Sequence, residues 1–112
     1  MCGIIGVSGN RVNYLFRANK YLSHRGPDNQ DLFLDYDANV GLGHTRLSIL
    51  DTSPLAHQPM ATNSNQKVIV FNGEIYNYRD LRIDLEVKGV DFRSESDTEV
   101  LLHLYCFSSS LL

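Results

Sequence analysis

The sequence has no excess of basic residues, because 10 lysines and arginines stand against 13 aspartates and glutamates for a formal net charge of −3. Nucleic-acid-binding domains normally gather a basic excess on one face, so composition argues against that class. No stretch approaches the roughly 18 apolar residues that a membrane span needs. No basic region precedes the short apolar run 3–7, as a secretory signal would require. With 43% hydrophobic residues in 112, the composition predicts a single folded, cytoplasmic domain over residues 1–112.

Cysteine is also scarce, since Cys2 and Cys106 are the only two. Two cysteines do not make the disulfide framework of a small secreted domain. The four histidines lack metal-ligand spacing with one another or with the cysteines, so we expect no metal site. Neither the glycine spacing of a dinucleotide-binding fingerprint nor a GxxxxGK[ST] phosphate loop occurs.

Hydrophobic patterning predicts an α+β fold with largely antiparallel sheets. The expected strands are Cys2–Val7, Leu32–Leu34, Val40–Ile49 and Val68–Phe71, with a turn at Asp35–Asn39 and a long polar loop at Asp51–Gln66. The expected helices are Val12–Leu22, a segment capped by Asn77 and ended by Gly89, and Val100–Phe107 behind a capping box at Ser96–Glu99.

Cys2 is the first candidate for chemistry, because it directly follows the initiator Met1. Removal of Met1 would leave a thiol and a free α-amine on one residue. At neutral pH such an amine can accept the thiol proton, so the residue carries both nucleophile and general base. The alternative is a small buried residue that begins a strand, since free cysteine is among the most buried types.

Two further segments carry candidate binding groups. Asn72 and Gly73 follow a predicted buried strand, where an amide donor and a closely approaching backbone could form an oxyanion hole; an ordinary Asn-Gly turn is the alternative. Arg46 stands in an apolar β-rich run and needs a carboxylate partner, either a ligand or a structural acid. For Asp97, helix capping is an adequate structural explanation.

The loop at Asp51–Gln66 is a candidate lid, because it is long and polar and follows the segment that contains Arg46. A lid would exclude water from a reactive intermediate. A simple surface excursion is the alternative.

Five blocks in order resemble one family: Met1–Gly6, His24–Asp28, Leu42–Asp51, Phe71–Asn77 and Ser96–Glu99. Together they resemble the class II glutamine amidotransferase domain, an N-terminal-nucleophile hydrolase. The blocks at 25–28 and 46–51 are most similar to glutamine-hydrolysing asparagine synthetases. The resemblance implies an αββα sandwich of antiparallel sheets flanked by helices, of which residues 1–112 are expected to form an incomplete N-terminal portion.

The resemblance also implies residue roles. Cys2, freed of Met1, attacks the side-chain amide carbon of glutamine, and its α-amine carries the proton to the departing ammonia. The binding groups implied are Asn72 and Gly73 for the oxyanion, Arg46 for the α-carboxylate, Glu74 and Asp97 for the α-ammonium, and the backbone of Leu47, Ser48, Ile49 and Leu50 as the pocket wall. A γ-glutamyl thioester then forms and water hydrolyses it.

The implied product is ammonia for asparagine synthesis from aspartate, with a synthetase domain or subunit as acceptor. No cofactor is implied for the glutaminase step. Because no Ser-Gly-Gly-x-Asp-Ser loop is present, ATP and magnesium are expected only in a synthetase domain outside this chain.

The alternatives are a catalytically silent fragment, or the amidotransferase domain of a glucosamine-6-phosphate synthase or an amidophosphoribosyltransferase. We expect no nucleic-acid or membrane partner, and an oligomer is compatible with the sequence.

Overall fold

The computed structural model describes residues 2–47 and 53–110. In this part of the chain the strands are β1 (Gly3–Ser8), β2 (Asn29–Asp35), β3 (Val40–Arg46), β4 (Met60–Ala61) and β5 (Val68–Ile69), and the α-helices are α1 (Leu15–Lys20), α2 (Tyr78–Val87) and α3 (Asp97–Ser110). The strands form two antiparallel sheets. The predicted α+β class with antiparallel sheets is therefore confirmed, and it is compatible with part of the sandwich that the resemblance implies.

The larger sheet has the order β1-β3-β2, with β3 in the centre. β2 and β3 form the predicted hairpin, whose turn contains Asn39 at φ 52° and is closed by a hydrogen bond from the Ala38 amide to the Asp35 carboxylate. On the central strand, His44 and Arg46 are two residues apart, so their side chains project from the same face. That face carries the candidate site.

The predicted helix Val12–Leu22 is only partly correct. A 3₁₀ helix covers Gly9–Tyr14, and α1 continues from Leu15 to Lys20. Buried Val12 and Leu15 are three residues apart and share one face at the junction of the 3₁₀ helix with α1. Phe16 and Tyr21, two apolar residues inside the predicted helix, are exposed.

The second sheet is a short β4–β5 ribbon beside α3. The predicted strand Val68–Phe71 extends only over Val68–Ile69, and residues 68–71 are half-buried rather than covered on both faces. The expected loop at 51–66 contains a 3₁₀ turn, Pro54–Ala56, as well as β4. Residues 51 and 52 lie outside the described part.

Helix ends follow the predicted residues with one exception. Gly89, at φ 95°, ends α2 in a Schellman arrangement, with its amide on the Glu86 carbonyl and the Val90 amide on the Leu85 carbonyl. Asn77 occupies the N-cap position of α2 but makes no side-chain capping bond. Ser96 Oγ does cap α3, accepting from the Glu99 amide at 3.2 Å.

The Glu99 side chain, only 1% exposed, turns away from the predicted capping-box geometry. Its carboxylate accepts from the Arg93 amide and from both the amide and the hydroxyl of Ser94. These bonds tie the 93–96 turn to the first turn of α3. In the described ranges, no helix is long and apolar enough to cross a bilayer.

Candidate active site

The Cys2 backbone is held by two side chains that are distant in sequence. Arg25 Nε donates to the Cys2 carbonyl at 3.1 Å, and Asn72 Nδ2 donates to the same oxygen at 3.0 Å. Asn72 thus lies against Cys2 although 70 positions separate them. Because an amide NH₂ has two donors, one hydrogen remains for a further acceptor.

The Cys2 thiol lies against the backbone that follows Arg46. The Leu47 amide donates to Sγ at 3.4 Å, and Sγ lies 3.7 Å from the Leu47 carbonyl. Cys2 as a residue is half-buried. Leu47, one of the residues predicted for the pocket wall, therefore contacts the Cys2 thiol through its backbone. Ser48, Ile49 and Leu50, the rest of that wall, lie outside the described residues.

Arg46 ends β3 and is only 6% exposed. One guanidinium nitrogen, Nη1, donates to the Ser53 carbonyl at 2.9 Å. None of the three ion pairs between described residues includes Arg46. A guanidinium has five N–H donors, so the bond to Ser53 leaves further N–H groups, in a planar fork, that can hold a carboxylate.

Gly26 lets the 24–28 segment pack closely against the strand that bears Arg46. A Cβ at Gly26 would overlap the peptide that joins Thr45 to Arg46. The next contact is a hydrogen bond of 2.9 Å from the Asp28 amide to the Arg46 carbonyl. The same segment thus contacts Cys2 through the Arg25 side chain, and it contacts Arg46 through its own main chain.

His44 is fully buried beside Arg46, and neither ring nitrogen has a hydrogen-bond partner among the described residues. The pKa of His44 is lowered from 6.5 to about 4, chiefly because burial disfavours the charged ring and also because the Arg46 cation lies nearby. The Phe71 backbone opposes this shift, although its contact with the ring falls outside hydrogen-bond geometry. His44 is therefore a neutral imidazole at neutral pH.

The segment after β5 presents Gly73 and Glu74 at the surface, next to Asn72. Asp97, 5% exposed at the start of α3, accepts a hydrogen bond of 2.9 Å from the Ile75 amide. Asp97 is thus tied to the residue that follows Glu74. This contact shows that Asp97 supports the 72–75 segment, which helix capping alone does not explain.

Among the predicted site residues, Leu47 and Asn72 each contact Cys2, and Arg46 directly precedes Leu47 in the chain. Asp97 joins them through Ile75. Sequence reasoning assigned no role to Arg25, although it lies in one of the five similar blocks. The sequence marked Arg25 only as a cation directly before the Gly26-Pro27 turn. The fold alone shows that its side chain reaches Cys2. No group of three metal-ligating side chains occurs within 2–47 and 53–110.

The family model described as "Glutamine amidotransferase domain" matches residues 1–109. The chain belongs to this glutamine amidotransferase family. The match covers every site residue described above, from Cys2 to Asp97.

Several curated relatives of this amidotransferase domain are named as glutamine-hydrolysing asparagine synthetases. Asparagine synthetase [glutamine-hydrolyzing] 1 of Bacillus subtilis (strain 168) is 42% identical over 113 residues, covering 94% of this chain and 17% of that protein. The asparagine synthetase [glutamine-hydrolyzing] of Sandersonia aurantiaca is 39% identical, covering 94% and 20%. Asparagine synthetase [glutamine-hydrolyzing] 1 of Arabidopsis thaliana is 39% identical, covering 94% and 18%. The chain spans about a fifth of the length of these relatives.

Proposed function

We propose that this amidotransferase domain hydrolyses glutamine to glutamate and ammonia through a thioester on Cys2. The observation that supports the proposal is that the Leu47 amide donates to the Cys2 thiol while the Asn72 side-chain amide donates to the Cys2 carbonyl. Nucleophilic catalysis needs such a thiol with a base nearby. The base in this proposal is the α-amine that removal of Met1 would create.

The first chemical step is attack of Cys2 Sγ on the side-chain amide carbon of glutamine. A carbon–sulfur bond forms and the carbonyl electrons move to oxygen, where the second Asn72 N–H and the Gly73 backbone stabilise the charge. The carbon–nitrogen bond then breaks, and the thiol proton leaves with the nitrogen as ammonia after passing through the α-amine. Water attacks the γ-glutamyl thioester and releases glutamate, restoring the thiol.

Substrate binding in this proposal uses opposite charges at the two ends of the glutamine head group. The Arg46 fork holds the α-carboxylate, since Nη1 is already fixed on Ser53 and the side chain cannot swing away. Glu74 and Asp97 hold the α-ammonium, and the Asp97 bond to Ile75 fixes where that carboxylate lies. The same proposal assigns residues 1–112 to the N-terminal portion of the amidotransferase domain.

We infer from the names of the relatives that the ammonia serves asparagine synthesis from aspartate on a synthetase domain or subunit. ATP and magnesium would act only there, and the glutaminase step itself would need no cofactor. A glucosamine-6-phosphate synthase or amidophosphoribosyltransferase acceptor is the runner-up. Adding a synthetase partner of each kind, with its acceptor, and measuring amidated product distinguishes them.

The test is release of glutamate and ammonia from glutamine by the chain beginning at Cys2. We expect turnover in the wild type, a glutamyl adduct on Cys2 by mass spectrometry, and loss of both in Cys2→Ala. Cys106→Ala is the matched control, because it removes the other thiol and should keep turnover. Equal turnover in Cys2→Ala, or in a chain that retains Met1, would contradict the proposed nucleophile or its base, respectively. A chain that releases no glutamate would support the silent-fragment alternative.

A further inference from the structure

A buried glutamine links α3 to Phe71, the residue directly before the proposed oxyanion donors Asn72 and Gly73. Gln58 is 7% exposed, and its Oε1 accepts from the Phe71 amide at 2.6 Å. Its Nε2 donates to Thr98 Oγ1 at 3.1 Å. Because a backbone N–H is only a donor, the side-chain oxygen must face Phe71, and this fixes the orientation of the whole amide.

Phe71 directly precedes Asn72, so the Gln58 bond is one residue from the donor that reaches Cys2. The segment carrying Asn72, Gly73 and Glu74 contains no helix or strand of its own. At one end it is held by Gln58, and at the other by the Asp97 bond to Ile75. Both anchors lead to the first turn of α3, through Thr98 and Asp97.

We infer that Gln58 is a positioning residue that holds the Asn72 donor in place against Cys2 by bridging Phe71 to Thr98. The inference rests on the proposed glutaminase function for its kinetic consequence, whereas its structural consequence does not depend on activity. An oxyanion donor must lie within a few tenths of an ångström of its productive position. Loss of the Gln58 bridge should therefore lower kcat more than it weakens glutamine binding. Arg46 keeps its own anchor on Ser53, so glutamine binding is supported separately.

The first experiment compares four variants of the chain by steady-state kinetics. Gln58→Leu should lower kcat by about 10- to 100-fold with a smaller change in KM, as expected for a misplaced catalytic group. Gln58→Glu keeps an oxygen acceptor for the Phe71 amide and should recover most of kcat. Thr98→Val should give a smaller loss in the same direction. Gln66→Leu changes an exposed glutamine and should leave kinetics unchanged.

A double-mutant cycle then tests whether Gln58 and Thr98 act as one unit. If they form one bridge, the Gln58→Leu, Thr98→Val double variant should lose no more kcat than Gln58→Leu alone. Independent losses that multiply would overturn the bridge. Equal losses in Gln58→Leu and Gln58→Glu would also overturn it, because the acceptor atom would then be irrelevant. Should Gln58→Leu fail to fold, an unchanged kcat in Thr98→Val would be decisive against the inference.

The second experiment needs no turnover. Hydrogen exchange of the Asn72 side-chain amide, followed by NMR, should be faster in Gln58→Leu and Thr98→Val than in the wild type, with exposed Asn77 as the internal reference. Unchanged Asn72 exchange in folded variants would overturn the inference. If the wild type releases no glutamate, the proposed function fails, while this measurement still decides the role of Gln58.

Discussion

His44 and Arg46 make an unusual neighbouring pair, because both are polar and both are buried on the same face of β3. Arg46 is anchored on a carbonyl, whereas His44 lacks a partner among the described residues. An imidazolium there would be desolvated next to a guanidinium, which is unfavourable on both counts. A neutral His44 therefore leaves Arg46 as the only cation of the pair.

His44 should make the chain sensitive to acid. In the unfolded chain its pKa is the ordinary 6.5, but in the fold it is about 4. Between these values the unfolded state binds a proton that the folded state does not, so the free energy of unfolding decreases as the pH falls. The loss begins below about pH 6.5, is complete near pH 4, and amounts to about 3 kcal/mol.

Urea unfolding at pH 7 and at pH 4.5 measures this loss. His44→Gln cannot take up a proton and should show a smaller decrease in stability between the two pH values. His24→Gln removes an exposed histidine and should keep the wild-type decrease. The same pH dependence in all three chains would show that other groups cause the acid sensitivity.

The turn at residues 23–28 contacts both Cys2, just before the edge strand β1, and the end of the central strand β3. Its arginine holds the Cys2 carbonyl, and its glycine lies against the Thr45–Arg46 peptide. The Thr45 hydroxyl adds a hydrogen bond of 2.9 Å to the Leu22 carbonyl, just before the turn. A short irregular segment thus contacts both Cys2, the proposed nucleophile, and Arg46, the proposed carboxylate-binding residue.

Gly26→Ala should therefore be strongly destabilising. The added Cβ meets main-chain atoms, which cannot rotate away as a side chain can, so the turn must move off β3. We expect a loss of about 3 kcal/mol in the free energy of unfolding. Gly6→Ala is the matched control, because its Cβ would lie 3.6 Å from Leu42 in ordinary contact. Similar urea midpoints for the two variants would contradict this packing argument.

The candidate site gathers residues from nearly the full length of the chain. Hydrogen bonds at Cys2 span 23, 45 and 70 positions, to Arg25, Leu47 and Asn72. The contact between Asp97 and Ile75 adds α3 to the assembly. A ligand bound there contacts the folded arrangement and not the unfolded chain, so it should stabilise the whole molecule.

Glutamine should raise the melting temperature of the Cys2→Ala chain, which binds without turnover. At a glutamine concentration 100 times Kd the stabilisation is about 2.7 kcal/mol, which corresponds to a shift of several degrees. Arg46→Lys in the same background should require much more glutamine, because an ammonium lacks the planar fork. Arg17→Lys, on the exposed side of α1, should melt like the parent. A glutamine response unaffected by Arg46→Lys would assign Arg46 a purely structural role.

The sequence by itself determined the features that depend on near neighbours. Alternating and apolar runs predicted β1, β2 and β3, and Gly89 and Ser96 marked helix boundaries, because each signal acts within a few residues. The strand at Val68 and the first helix were less accurate, since their extent depends on what packs against them. The five similar blocks predicted the family, which is confirmed, and nominated the site residues.

The tertiary structure alone decided which of these residues meet and what holds them. No local pattern indicates that Arg25 and Asn72 share one carbonyl, or that Gln58 bridges Phe71 and Thr98. Such bonds join residues that are 13 to 70 positions apart, and their geometry depends on the path of the whole chain. The burial that keeps His44 neutral has the same origin, because desolvation is set by atoms that the fold brings around the ring.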